Sequence, residues 1–368
     1  MNISTTRKEL QRAFSKLIKT TQARSQTPLI NYTYISSGAH GVTLHSTDLE
    51  VGIKTTITAS VNTNGEGLFP TTELNDIISV IDEGRVDIEI AGPHINIKSE
   101  NGTSFDIPTL SFQEYPKVPE NKHETVYNIN TSELKKILDA IIYAVNKDQL
   151  KPALSGALFS FSEEGLNFVS TDGHRLVVVA KKNESNIIED FIIPKKYLNM
   201  LSSFIQGQKE SSLIFSNNHV FINNDRDVLY SRLIDEKYPN YKAVIPQDNS
   251  YVLKLQKEDF LNSIKATSIA TNKNTNQISL NLALGEVFLK SVNQPESKTV
   301  YAPLKTAEYD GEKISIGFNA TYLKEAIMNY PSEEILFVFK DELSATLLLP
   351  ETKNHKTTIL LMPVRINE

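Results

Sequence analysis

One arrangement of apolar stripes and short strands recurs three times along this chain, and an internal repeat of that length limits the fold more than any single motif. Leu134 follows Leu10 by 134 − 10 = 124 positions, and Thr171-Asp172 follows Thr47-Asp48 by 171 − 47 = 124. In the first copy Thr6-Arg7-Lys8-Glu9 reads as a capping box, with the Thr6 hydroxyl and the Glu9 carboxylate expected to satisfy each other's backbone donors. Leu10, Ala13, Phe14 and Leu17 then share one helical face, while Arg7, Lys8, Arg12, Lys16 and Lys19 occupy the others. Alternating strands follow, and after Pro70 a second helix aligns Leu74, Ile77, Ile78 and Ile81; further strands end near Tyr115-Pro116.

The second copy repeats the capping signature in Asn130-Thr131-Ser132-Glu133, the first stripe in Leu134, Ile137, Leu138 and Ile141, and the second in Leu198, Leu201 and Ile205. Tyr238-Pro239 echoes Tyr115-Pro116 at 238 − 115 = 123. The third copy starts at Asp259-Phe260, and its second helix places Leu323 at 323 − 198 = 125 positions after Leu198. Polar, proline-bearing stretches at 119–124 and 246–250 mark the junctions, so the expected domains are 1–121, 122–247 and 248–368. Helices with one apolar stripe on antiparallel strands with one apolar face make an α+β chain of three repeated two-layer domains.

Composition excludes several function classes. The chain has no cysteine, which removes thiolate metal sites, disulfides and cysteine nucleophiles. No run approaches the length of a bilayer span and the N-terminus lacks an apolar leader, so a cytoplasmic protein with no membrane contact is expected. A formal charge of −6 argues against coating nucleic acid by bulk charge, but a local basic stripe is compatible with it. Such a stripe is expected on the helices, where Lys135 and Lys136, Lys195 and Lys196, and Lys257 and Lys265 join the cations of the first copy.

Asp172-Gly173-His174-Arg175 concentrates chemistry-bearing side chains ahead of an apolar strand. An Asp beside a His could orient a general base, giving a hydrolase reading. Neither a nucleophile elbow nor a phosphate-binding glycine loop completes that site, and the other histidines show no metal-ligand spacing, so no catalytic residue, metal or cofactor is expected. Thr171-Asp172 has a counterpart in Thr47-Asp48, which identifies the pair as a turn device; Gly173-His174-Arg175-Leu176 is peculiar to the middle copy.

The three copies, Thr171-Asp172-Gly173-His174-Arg175-Leu176, Tyr238-Pro239-Asn240-Tyr241 and the terminal Met362-Pro363-Val364-Arg365-Ile366 together resemble the bacterial sliding clamps, the β subunits of the replicative DNA polymerase III. The resemblance covers the whole chain. It implies a non-enzymatic processivity factor, a head-to-tail homodimer forming a six-domain ring, with helices around double-stranded DNA bound without regard to sequence. It also implies a hydrophobic cleft that captures short linear motifs of DNA polymerase III, the clamp loader and other DNA enzymes. Carried over by position, the cleft comprises Leu154, Thr171, Gly173, His174, Arg175 and Leu176, then Pro239 and Val244, then Leu360, Leu361, Met362, Pro363 and Val364, with Arg365 at the rim. Arg24, Gln149, Lys151, Lys195 and Lys196 correspond to DNA-contacting positions, and Phe105, Ile107 and Ile269 to the dimer interface. Two departures stand out: Thr71, Thr72 and Glu73 begin the second helix where many clamps are basic, and Ala243 replaces a longer basic side chain. A clamp-like scaffold that binds peptides without encircling DNA is the alternative that Thr71, Thr72 and Glu73 and the acidic total leave open.

Overall fold

The computed structural model describes residues 1–21, 27–38, 41–120, 124–148, 150–216, 218–350 and 356–366. Among them the apolar stripes become α1 (Arg7–Leu17), α2 (Thr71–Val80), α3 (Thr131–Ile141), α4 (Lys195–Phe204), α5 (Lys257–Ser268) and α6 (Ala320–Met328). Leu10, Ala13, Phe14 and Leu17 of α1 are fully buried, as are Leu134, Ile137, Leu138 and Ile141 of α3, so the helical spacing does mark the core.

The capping box of α1 forms by half. The Glu9 amide donates to the Thr6 hydroxyl at 3.3 Å, but the Glu9 carboxylate turns elsewhere, accepting from the Thr58 amide at 2.9 Å and pairing with Arg226 at 3.0 Å. The partners that take the Glu9 carboxylate are distant in sequence, while Thr6 itself closes strand Asn2–Thr6 in register with Arg85. Thr71 at the start of α2 is fully buried and shares a hydrogen bond with Thr33 at 2.8 Å, which gives this departure from a basic residue a packing role.

The chain divides into two compact units, Met1–Thr131 with Asn199–Leu233, and Ser132–Leu198 with Ile234–Glu368. These bodies do not follow the repeat borders, because strand pairing crosses them. In the first unit an eight-stranded antiparallel sheet joins strand Val51–Ile57 to strand Asp227–Arg232, in register from Asp227 opposite Thr55 to Ser231 opposite Val51. A five-stranded sheet in the same unit ends at strand Ser104–Pro108. In the second unit a nine-stranded sheet joins strand Arg175–Lys181 to strand Lys356–Leu361, with Arg175 opposite Leu361 and Leu176 opposite Leu360. A four-stranded sheet there ends at strand Lys298–Pro303. Among the described residues no helix is long and apolar enough to cross a membrane.

Candidate functional site

The turn ahead of strand Arg175–Lys181 is built by side chains that bind their own backbone. Asp172 Oδ1 accepts from the amides of His174 at 2.9 Å and Arg175 at 3.1 Å, while the Thr171 hydroxyl accepts from the Gly173 amide at 3.1 Å and donates to the Arg175 carbonyl at 2.6 Å. Thr47 and Asp48 make the same set of bonds in the first repeat, to Leu49, Glu50 and Val51. Both turns need a left-handed third residue, supplied by Gly173 at φ 90° and by Leu49 at φ 78°. The turn device expected from the repeat is therefore present twice.

This geometry disposes of the hydrolase reading. Asp172 is occupied with backbone amides and with Arg175 Nε at 3.1 Å, and the His174 ring stacks instead on Tyr322, with centroids 5.6 Å apart. Asp172 and His174 therefore form no dyad.

Beyond the turn the strand alternation sorts the site into two faces. Leu176 and Val178 point to one side and join Leu158, Val169, Ile192, Leu347 and Leu360 in a buried apolar cluster. Tyr238, Tyr241, Ile245, Ala345 and Leu349 pack against that cluster while only partly buried, so the layer that covers it is itself half exposed. Leu154 is buried at the edge of a single helical turn, Pro152–Ser155, whereas Pro239 and Val244 are exposed, the latter by 57%. The Met362 amide donates to the His174 carbonyl at 2.9 Å and the Val364 amide to the Gly317 carbonyl at 2.9 Å, fastening this segment at two points. Gln277 donates to the Arg365 carbonyl at 3.0 Å. Between these ties Met362 is left 42% exposed and Pro363 partly buried, an adaptable thioether on a fixed backbone.

Arg175 and Leu361 stand opposite one another on the other face. The resemblance put both in the cleft wall; strand alternation turns their side chains away from the cluster of Leu176 and Leu360. The Arg175 guanidinium is buried, donating to Glu325 at 2.5 Å, to Asp172 at 3.1 Å and to the Tyr143 carbonyl at 2.7 Å. It lies between the Tyr143 and Tyr322 rings, 5.0 and 4.7 Å from their centroids. Arg175 thus anchors the turn that presents His174. Tyr143, Tyr322 and Glu325 were missed as site residues by sequence reasoning, since nothing near residue 175 points to α6 or to the turn Ile142–Ala144 after α3.

Family models described as the N-terminal, central and C-terminal domains of the DNA polymerase III beta subunit match residues 1–119, 128–240 and 242–365. The chain belongs to this beta-subunit family. The beta sliding clamp of Pseudomonas putida KT2440 is 24% identical over 371 residues, covering 100% of both chains, and that of Bacillus subtilis 168 is 24% identical over 380 residues, covering 99% of this chain and 100% of the other. A solved sliding clamp from Bartonella birtlesii, bound to griselimycin, superposes with a TM-score of 0.93 at 24% identity over 100% of both chains. The DNA polymerase III beta subunit of Pseudomonas aeruginosa gives 0.92 at 23% identity, over 99% of this chain and 100% of that one.

Of the positions carried over from the beta-subunit family for DNA contact, Arg24 and Gln149 lie outside the described residues. Lys151 is exposed, and Lys196 is partly buried. Lys195 donates to the Val145 carbonyl at 2.6 Å, and burial, with the nearby charges of Lys147 and Arg175, lowers its pKa. Two of the other helical cations have protein partners. Arg7 pairs with Glu83 at 2.5 Å and donates to the Ile78 carbonyl, and Lys257 donates to the Tyr330 carbonyl at 2.6 Å. At the positions carried over for a dimer interface, Phe105 is partly buried and Ile107 is only 6% exposed, whereas Ile269 at the end of α5 is 79% exposed.

Proposed function

We propose that this chain is a sliding clamp that closes, with a second copy, around duplex DNA and tethers the replicative polymerase and other DNA enzymes through the cleft above Leu176 and Leu360. One repeated pairing supports ring closure. Strand Val51–Ile57 of the first repeat pairs with strand Asp227–Arg232 of the second, and the counterpart at 175 − 51 = 124 pairs with strand Lys356–Leu361 of the third. The next counterpart, strand Lys298–Pro303 at 298 − 175 = 123, ends its sheet, as does strand Ser104–Pro108, which precedes Asp227–Arg232 by 227 − 104 = 123. Two free edges of the types that join elsewhere in the chain are complementary between copies, and head-to-tail pairing that closes leaves neither unpaired. The resemblance sets the number of copies at two.

In this reading Arg24, Gln149, Lys151, Lys195 and Lys196 meet phosphates, which hold a duplex without reading its sequence. Leu154, His174, Pro239, Val244 and Met362 receive apolar side chains of linear motifs from DNA polymerase III and the clamp loader, as hydrophobic grooves do. The clamp performs no chemistry and works in the cytoplasm, where chromosomal DNA is. Phe105 and Ile269 sit where the two edges meet. Sedimentation should return the mass of two 41.3 kDa chains, and Ile269→Asp, which places an unpaired carboxylate in an apolar contact, should weaken the dimer about 100-fold. A monomer in the unaltered protein, or an unshifted mass in the variant, contradicts this interface.

A further inference from the structure

Arg12 and Lys16 lie one turn apart on α1 and both reach a single carboxylate, Asp227, more than 200 residues along the chain. Arg12 Nη1 is 3.2 Å from Asp227 Oδ1, and Lys16 Nζ pairs with Oδ2. The Thr55 hydroxyl donates to Oδ1, and Arg12 Nη2 donates to the Thr56 carbonyl at 2.6 Å. Asp227 is 5% exposed, the Arg12 and Lys16 side chains 29% and 32%. Burial by itself would raise the Asp227 pKa; hydrogen bonds from Lys16 and Thr55 and the charges of Lys16 and Arg12 outweigh it and hold the carboxyl below its usual value.

The fold does not require this arrangement. The positions matching Lys16 in the other repeats, at 16 + 124 = 140 and 140 + 126 = 266, are Ala140 and Ala266, and strand Lys356–Leu361, which takes the place of Asp227–Arg232 in the third repeat, has no acid. The most basic helix of the chain is thus the one matched with a buried carboxylate. For a protein that must travel along DNA, each cation free to meet a phosphate adds salt-dependent affinity, and an excess of them would oppose sliding.

We propose that Asp227 is a positioning residue that restrains the clamp's grip on DNA, holding Arg12 and Lys16 against strand Val51–Ile57 and away from phosphates. The inference rests on the reading that α1 faces the duplex.

The test is binding of a short fluorescent duplex by the full-length dimer between about 50 and 200 mM salt, the range over which counterion release is measurable. Asp227→Asn should steepen the plot of log affinity against log salt by about 1 to 2, one step for each freed cation, while Asp227→Glu, which keeps the pairs, should leave the slope near its original value. In the Asp227→Asn background Lys16→Met should remove about one step, and in the unaltered protein less than half of one. A Lys16→Met slope change of a full step in the unaltered protein overturns the proposal even if Asp227→Asn fails to fold. An unchanged slope in a folded Asp227→Asn protein overturns it as well. Absence of any salt-dependent binding by the unaltered protein overturns this inference and leaves encirclement, which is read from retention on circular DNA, untouched, so the two failures are distinguishable.

Discussion

Replacing Arg175 by Met should lower the free energy of unfolding by about 3 kcal/mol, read as a reduced urea midpoint at unchanged denaturant slope. The guanidinium is buried and makes three hydrogen bonds, two of them to carboxylates, so its loss leaves Asp172 and Glu325 without their cation and the Tyr143 carbonyl without this donor. Methionine fills the space between the Tyr143 and Tyr322 rings but replaces none of those bonds. Arg175→Lys should fall between the two, because an ammonium can keep one partner but cannot serve the fork. The functional effect follows from position. Arg175 stabilises the turn whose His174 carbonyl accepts the Met362 amide, so capture of a polymerase-derived peptide should weaken about tenfold under conditions where the variant remains folded. Unchanged stability and unchanged peptide affinity would show that the Arg175 network is dispensable.

Stability should also fall as the solution is acidified from pH 7 toward pH 4, with His45 as a principal cause. This imidazole is buried in strand Gly41–Thr47, bonded to the Tyr230 hydroxyl at 2.7 Å and edge-on to Tyr115 at 5.7 Å. Burial, with a lesser contribution from the Lys54 charge, lowers its pKa from 6.5 to about 4. The folded protein therefore resists a proton that the unfolded chain accepts. The contribution is complete above pH 6.5, declines as pH falls toward 4, and levels off below that, amounting to about 3 kcal/mol. His219 is shifted in the same direction by burial and by Arg232, whereas Asp227 and Glu9, whose pKa values are lowered, add their losses at more acidic pH. Subtracting the stability curve of His45→Gln from that of the unaltered protein isolates the His45 share. Parallel curves from pH 4 to 7 would contradict it.

Much of this was legible in the residues. The 124-residue spacing carried the repeat, the apolar stripes carried the helices, and the recurrence of Thr47-Asp48 as Thr171-Asp172 correctly marked a turn in place of half an active site. What stayed hidden depended on partners distant in sequence. Arg175 was carried over to a binding surface by the resemblance alone; Glu325, 150 residues away, makes it an anchor as well. Arg12 and Lys16 read as part of a basic stripe facing DNA, yet both pair with Asp227 on a strand of another repeat. Glu9 had a local use in a capping box and took a different one with Thr58 and Arg226. The division of the middle repeat between two packing units follows from strand pairing across repeat borders, which periodicity within a repeat does not encode.

Closure around DNA is tested most directly by topology. The protein is loaded by its clamp loader onto a nicked circular plasmid, freed of unbound protein by gel filtration, and the circle is then cut once. A closed ring held by encirclement should remain with the circular DNA and slide off after linearisation, with retention restored when the ends are blocked. Equal retention on circular and linear DNA would contradict encirclement and mean that the chain holds DNA by surface contact.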